Sequence, residues 1–208
     1  MTAAGGGRPR LLIATRSEHK LRELRELLGL RDGALVRLDE AGVVGEPIED
    51  GLTFEENAAI KARAGLGATG LPTLADDSGL EVEALGGAPG VRTRRYAGEN
   101  ATDDDNNRKL LGELAGLPSD RRGARYVCSL VLAMPDESLV TVRGECTGRI
   151  ATGPRGNGGF GYDPIFEPEG EPPGGRTFGL WSADEKNRIS HRARAARAMQ
   201  PHLADLGF

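Results

Sequence analysis

Residues able to do chemistry are most concentrated in Leu74-Ala75-Asp76-Asp77-Ser78-Gly79-Leu80, two adjacent carboxylates and a hydroxyl set between apolar side chains. Leu74 and Ala75 read as the end of a buried strand and Gly79 as the site of a sharp turn, so Asp76, Asp77 and Ser78 are expected where a sheet meets its loops. That is where α/β proteins keep their chemistry. Adjacent carboxylates repel unless a cation stands beside them. A hard divalent ion with oxygen ligands, Mg²⁺ above all, suits such a pair. An Asx-turn, with the aspartates capping nearby N–H groups, is the competing reading of the heptad alone.

A second cluster opens the chain. The apolar run Arg10 to Ala14 leads into Thr15-Arg16-Ser17-Glu18-His19-Lys20, after which Leu21, Leu24, Leu27 and Leu28 recur at helical spacing. Strand, tight loop and helix follow in that order. With Ser17 as N-cap, Arg16, His19 and Lys20 crowd against the positive end of the helix dipole, where acids are preferred. A phosphate bound there satisfies both the dipole and the basic side chains; solvated charges on an ordinary capped helix are the alternative.

Further along, a loop from Val43 to Asp50 delivers Glu46, Glu49 and Asp50 ahead of a helix whose capping box is Thr53 and Glu56, and Gly65, Gly67 and Gly70 are expected to end that helix. Asn57 and Lys61 share one of its faces, and Lys61 either reaches a phosphate near the aspartates or is solvated. Thr102-Asp103-Asp104-Asp105 resembles a metal cluster, but a capping box with acids in the first turn explains each residue, so it is assigned to helix stability. Gly153 to Pro164 is rich in glycine, and its Phe160 and Tyr162 offer faces on which a base can stack. Near the end, Ser182 caps a helix whose polar face runs on through Asn187, Ser190, His191 and Arg192, and Lys186, His191 and Arg192 together supply several donors.

The elements that must position these groups follow from the same patterns. Apolar runs at Arg10 to Ala14 and Leu35 to Leu38, a half-exposed strand at Leu80 to Ala84, and a hairpin of Arg125 to Met134 with Leu139 to Ile150 alternate with the helices, giving a mixed α/β sheet. The 208 residues suit one domain over residues 10–208, with the Gly/Ala/Arg lead of residues 1–9 read as a disordered tail. A net charge of −4 argues against a nucleic-acid or membrane-surface binder, and no apolar run approaches the ~18 residues of a membrane span. Cys128 and Cys146 lie far apart without metal-ligand spacing, which fits a reducing, cytoplasmic setting.

Taken together, Ala14-Thr15, Thr53-Phe54-Glu55-Glu56-Asn57-Ala58, Ala75-Asp76-Asp77-Ser78-Gly79-Leu80, Gly86-Gly87-Ala88-Pro89-Gly90-Val91, Arg95-Tyr96, Gly158 to Phe166, Glu185-Lys186-Asn187 and Ser190-His191-Arg192 resemble the inosine triphosphate pyrophosphatase family, also called dITP/XTP pyrophosphatases. The resemblance implies an elongated, twisted mixed sheet flanked by helices, in two lobes around a central cleft. It further implies a homodimer that uses Mg²⁺ to cleave deaminated purine nucleoside triphosphates to the monophosphate and pyrophosphate. Carried over by position, Thr15, Arg16, Ser17, Glu18, His19 and Lys20 hold the triphosphate, Glu49 and Asp77 engage the metal, and Asp77 or Asp76 accepts the proton. Ser78 touches the substrate, Phe160, Gly161, Tyr162 and Asp163 surround base and sugar, and Lys186, His191 and Arg192 reach the base. Ser17 stands where the family has asparagine. The nearest alternatives are a Maf-type nucleotide pyrophosphatase and a non-catalytic nucleotide sensor.

Overall fold

The computed structural model describes residues 10–31 and 33–208; the expected disordered tail, residues 1–9, lies outside them. Strand β1 (Leu11–Ile13) leads through helix α1 (Glu18–Leu28) to β2 (Leu35–Arg37), which pairs parallel to it. Helix α2 (Phe54–Thr69) then carries the chain to β3 (Thr73–Val82), parallel to β1 on its other side. Strands β4 (Gly123–Ala133), β5 (Leu139–Ile150) and β6 (Phe166–Pro168) extend the sheet antiparallel, in the order β2-β1-β3-β4-β5-β6. Helix α3 (Asp103–Glu113) lies in the β3–β4 connection, and α4 (Ala183–Ile189) and α5 (His191–Asp205) follow the sheet.

Local signals account for the helix starts. Side-chain oxygens of Ser17, Thr53, Thr102 and Ser182 accept from the N–H three residues on, the last three in full capping boxes. Two helical readings are corrected. Helix α2 runs through Gly65 and Gly67 and ends at Gly70, whose φ of 67° takes the left-handed cap. Gly65 is inside the helix because a Cβ there would lie 2.7 Å from Thr73 and 2.9 Å from Leu12. The last polar face is not one helix: Ser190 turns extended, closes α4 and caps α5.

Side chains alternate across β3 and β4 and fill three clusters. On one face Leu11, Ile13, Leu74, Leu130 and Leu132 pack against Leu21, Leu24 and Leu28 of α1 and Ala195, Ala196 and Met199 of α5. On the other, Ala75, Val131 and Ala133 pack against Ala58 and Ala62 of α2. The far halves of β3, β4 and β5 form a separate cluster in which Leu80, Val82, Tyr126, Cys146 and Ile150 meet α3 and the Phe166 and Phe178 rings.

The expected turn at Gly79 is absent. Strand β3 continues through the aspartates, and Asp76, Asp77, Ser78 and Gly79 pair with Leu130, Ser129, Cys128 and Val127 of β4. Gly79 is small for another reason: a Cβ would stand 2.7 Å from the Gly90 carbonyl oxygen and 2.8 Å from the Phe54 ring. The alternation expected after it holds, with Leu80 and Val82 buried and Glu81 between them partly exposed, but the strand ends at Val82 rather than Ala84 and gives way to a 3₁₀ turn at Glu83–Leu85. What ends near the aspartates is the neighbour. Strand β1 pairs with β3 only at Thr73 and Leu74, so among the described residues the next partner on that edge is the isolated bridge of Glu81 to Pro89. Asp76, Asp77 and Ser78 thus lie on a rigid strand with one edge open to the β1–α1 loop.

Candidate active site

Alternation along β3 sends the two aspartates to opposite faces of the sheet. Asp76 points with Leu74 toward α1 and α5, where Lys20 Nζ lies 2.9 Å and Arg192 Nη2 3.5 Å from its Oδ2. Ser78, two residues on and on the same face, receives a 2.9 Å hydrogen bond from Arg192 and donates to Asp76 at 3.3 Å. Burial raises the Asp76 pKa, but Lys20, Arg192 and Lys61 outweigh it and hold the carboxyl well below the usual carboxylate range. Lys20 arrives here because Ser17 starts α1 directly above the open edge.

Asp77 points toward α2. Lys61 Nζ sits 2.9 Å from Asp77 Oδ1 and 3.0 Å from Glu49 Oε2, bridging β3 to the loop before α2. For Asp77 burial prevails over Lys61 and Lys20, and its pKa is raised. Asp77 and Glu49 therefore converge on one cation position within 3.0 Å of both. Two carboxylates and an open side suit Mg²⁺, which takes one or two carboxylates together with water and substrate phosphates. Among the described residues no group of three or more His, Cys, Asp or Glu forms a metal cage.

The far end of the site is ionic and aromatic. Lys186 of α4 lies 2.6 Å from Asp163 and 3.4 Å from Glu23 of α1, while Glu23 also pairs with Arg192. His191 is buried with its ring stacked on Tyr126 at 4.7 Å and 9°. Burial, then Arg192 and Lys186, push its pKa well below the usual value of 6.5. Phe160 stacks on His19 at 5.1 Å, and its N–H donates to Asp163 at 3.0 Å. His191 Nδ1, Arg192 Nε and Asp76 Oδ1 are buried without a hydrogen-bond partner.

A cavity of about 740 Å³ collects these groups. Thr15, Arg16, Ser17, Glu18, His19, Lys20, Glu49, Lys61, Asp77, Ser78, Phe160, Gly161, Tyr162, Asp163, Lys186, His191 and Arg192 all line it. Asp76 alone of the expected site residues does not; it is 1% exposed, beneath the cavity. Several lining residues have other work. Arg16 donates to the carbonyls of Val43 and Gly45, at 2.9 and 2.8 Å, and so clamps the loop before α2. Glu18 pairs with Arg37, Ser17 caps α1, and Tyr162 is a buried core residue whose hydroxyl donates to Thr93 O at 2.7 Å. Glu46 pairs with Arg16 rather than joining Glu49.

Four participants were missed. Glu23 shares the inner face of α1 with Lys20, three residues away, and that spacing was the available signal. Tyr126 carries none, being one aromatic in a β-rich run, yet it lines the cavity and its hydroxyl donates to Asp163 at 3.3 Å. Asp103, assigned only to helix capping, accepts from Gly161 N at 2.6 Å and lines the cavity; Asn107 donates to Gly161 O at 3.1 Å.

Fold and cavity define a mixed-sheet α/β protein whose cleft is lined by a helix start carrying Arg16, His19 and Lys20, by carboxylates and by aromatic rings. The chain belongs to the Ham1 family, whose model matches residues 11–202. It is 46% identical over 200 residues to the dITP/XTP pyrophosphatase of Nocardia farcinica, covering 95% of this chain and 96% of that one. It is 48% identical over 190 residues to that of Syntrophobacter fumaroxidans, covering 91% and 80%. A solved HAM1 protein from Coxiella burnetii superposes with a TM-score of 0.85 at 39% identity, covering 95% of this chain and 99% of that one. A nucleoside-triphosphatase / dITP/XTP pyrophosphatase from Mycobacterium abscessus gives 0.76 at 43%, covering 92% and 99%.

Proposed function

We infer that this protein hydrolyses deaminated purine nucleoside triphosphates, dITP, ITP and XTP, to the monophosphate and pyrophosphate. The observation that carries the reading is one cavity lined by Lys20, by Asp77 paired with Lys61, and by a cation-flanked aromatic ring, Phe160. Family membership and the names of the relatives above support it.

Lys20, Thr15 and the N–H groups at the start of α1 bind the triphosphate, with Lys61 turning from the carboxylates toward phosphate oxygens. Asp77 takes the proton of a water that attacks the α-phosphorus. The new P–O bond forms as the anhydride P–O bond breaks and its electron pair leaves with pyrophosphate, whose charge the lysines meet. Glu49 would hold Mg²⁺, with Asp77 engaging it only indirectly while it serves as base, and the ion would supply positive charge to the phosphate oxygens. Asp76 keeps Lys20 and Arg192 in place and does not meet the water. Lys186 and Arg192 are placed to donate to a 6-oxo group, which hypoxanthine and xanthine carry and adenine lacks.

Pyrophosphate release from dITP, XTP, GTP and ATP, with Mg²⁺ and after chelation, tests the reading. Fast turnover of dITP and XTP, slow turnover of GTP and ATP, and loss on chelation are expected; no turnover of any triphosphate overturns it. We also infer a homodimer and no nucleic-acid partner. Val44, Ile48 and Leu52 are 95%, 83% and 86% exposed on one loop, apolar surface that a second copy would cover, and sedimentation at micromolar concentration checks this. No helix among the described residues is long and apolar enough to cross a membrane, and a cytoplasmic location remains part of the same proposal.

A further inference from the structure

His19 and Phe160 come from opposite ends of the chain, the start of α1 and the glycine-rich loop, and their rings meet at 5.1 Å and 21° within the cavity. The other aromatic pairs among the described residues surround Tyr126, Phe166 and Phe178 in the packed far cluster. This pair fills no core, since His19 is exposed and Phe160 half-buried. The two rings are also held differently. Phe160 is fixed by its N–H bond to Asp163 and flanked by Lys186 and Arg192, 4.8 and 5.8 Å from its ring centre. His19 is held only by Arg22, which donates to Nδ1 at 3.0 Å.

Position beside Lys20 would make His19 a phosphate ligand, but its ring plane faces Phe160 and one nitrogen is already engaged. We propose that His19 is the second wall of the nucleobase subsite, closing over the base opposite Phe160, and that it does not bind the triphosphate. A purine held between two rings needs their planes about 7 Å apart, two contacts of ~3.5 Å. The exposed imidazole must therefore swing outward to admit the base while Phe160 stays in place. The proposal deepens the pyrophosphatase reading and rests on it for the class of ligand.

Calorimetric titration of inosine monophosphate and of inorganic tripolyphosphate into wild type, His19→Ala and His19→Phe tests it, with circular-dichroism melting to show that each variant folds. His19→Ala is expected to weaken monophosphate binding about five- to tenfold and to leave tripolyphosphate binding unchanged; His19→Phe, which stacks but carries no nitrogen, restores the monophosphate. Equal weakening of both ligands by His19→Ala, no weakening of either, or failure of His19→Phe to restore the monophosphate overturns the proposal. Absence of dITP turnover by the wild type overturns the functional reading itself and this subsite with it. Normal wild-type turnover combined with the wrong variant pattern overturns the subsite alone.

Discussion

On the α1 and α5 face of β3, Asp76 is 1% exposed and shares Lys20 and Arg192; on the α2 face, the Asp77 side chain is 14% exposed and shares Lys61 with Glu49. The first carboxyl is held well below its usual pKa because three cations outweigh burial, and the second is raised because burial outweighs Lys61 and Lys20. Adjacent in sequence, the two carboxyls differ in burial, in partners and in the direction of their pKa shift. The pleat produces the difference, since it hands neighbours to opposite faces and so to different helices.

Replacing the two aspartates separates the roles most sharply. Asp77→Asn is expected to lower dITP hydrolysis roughly 10²- to 10⁴-fold with little change in melting temperature, measured by pyrophosphate release and calorimetry. Asp76→Asn removes the buried counter-charge of Lys20 and is expected to cost about 3 kcal/mol of stability, read from urea unfolding. A stable, inactive Asp76→Asn beside an unstable, active Asp77→Asn would reverse the comparison.

Smaller changes sharpen it. Glu23 is the other carboxylate on Arg192, and it also holds Lys186. Glu23→Gln is expected to raise KM for dITP about tenfold, the worth of one charged hydrogen bond, with a lesser effect on kcat; steady-state kinetics decide. The smallest effect concerns His191. Its folded pKa lies well below 6.5, so as pH falls through 6.5 the unfolded chain takes up a proton that the folded one does not. Its contribution to stability is full above pH 6.5 and declines below it, by at most about 1.4 kcal/mol per pH unit. Asp77 and Asp163, both raised, act in the opposite sense at acid pH, so the difference between wild-type and His191→Phe unfolding curves, not either alone, isolates the term. Parallel curves from pH 7 to 5 would show that His191 is not held neutral.

Local hydrogen bonds made part of this legible in advance. The caps at Ser17, Thr53, Thr102 and Ser182 close over three residues, and each was readable because its partners lie within one turn. The hairpin of β4 and β5 was readable for the same reason, with Pro135 to Ser138 between two β-rich runs. The aspartate strand was misread because Gly79 signals equally a turn and a close approach, and only the Gly90 and Phe54 contacts distinguish the two. Glu23 and Tyr126 were passed over because their partners stand far away in sequence: Lys186 and Arg192 for the first, Asp163 and His191 for the second.

By itself, then, the sequence determined the starts of α1 to α4, the α/β class, the resemblance to a nucleotide pyrophosphatase and most of the residues expected to line the cavity, all of which rest on short-range pattern or on motifs read in order. The tertiary structure alone decided that β1 stops short of the aspartates, that Asp76 turns to Lys20 and Arg192 while Asp77 turns to Lys61, and that His19 meets Phe160. Those outcomes depend on which helix covers which face of the sheet, and that is set by packing between segments far apart in the chain, such as Glu23 and Arg192, 169 residues apart.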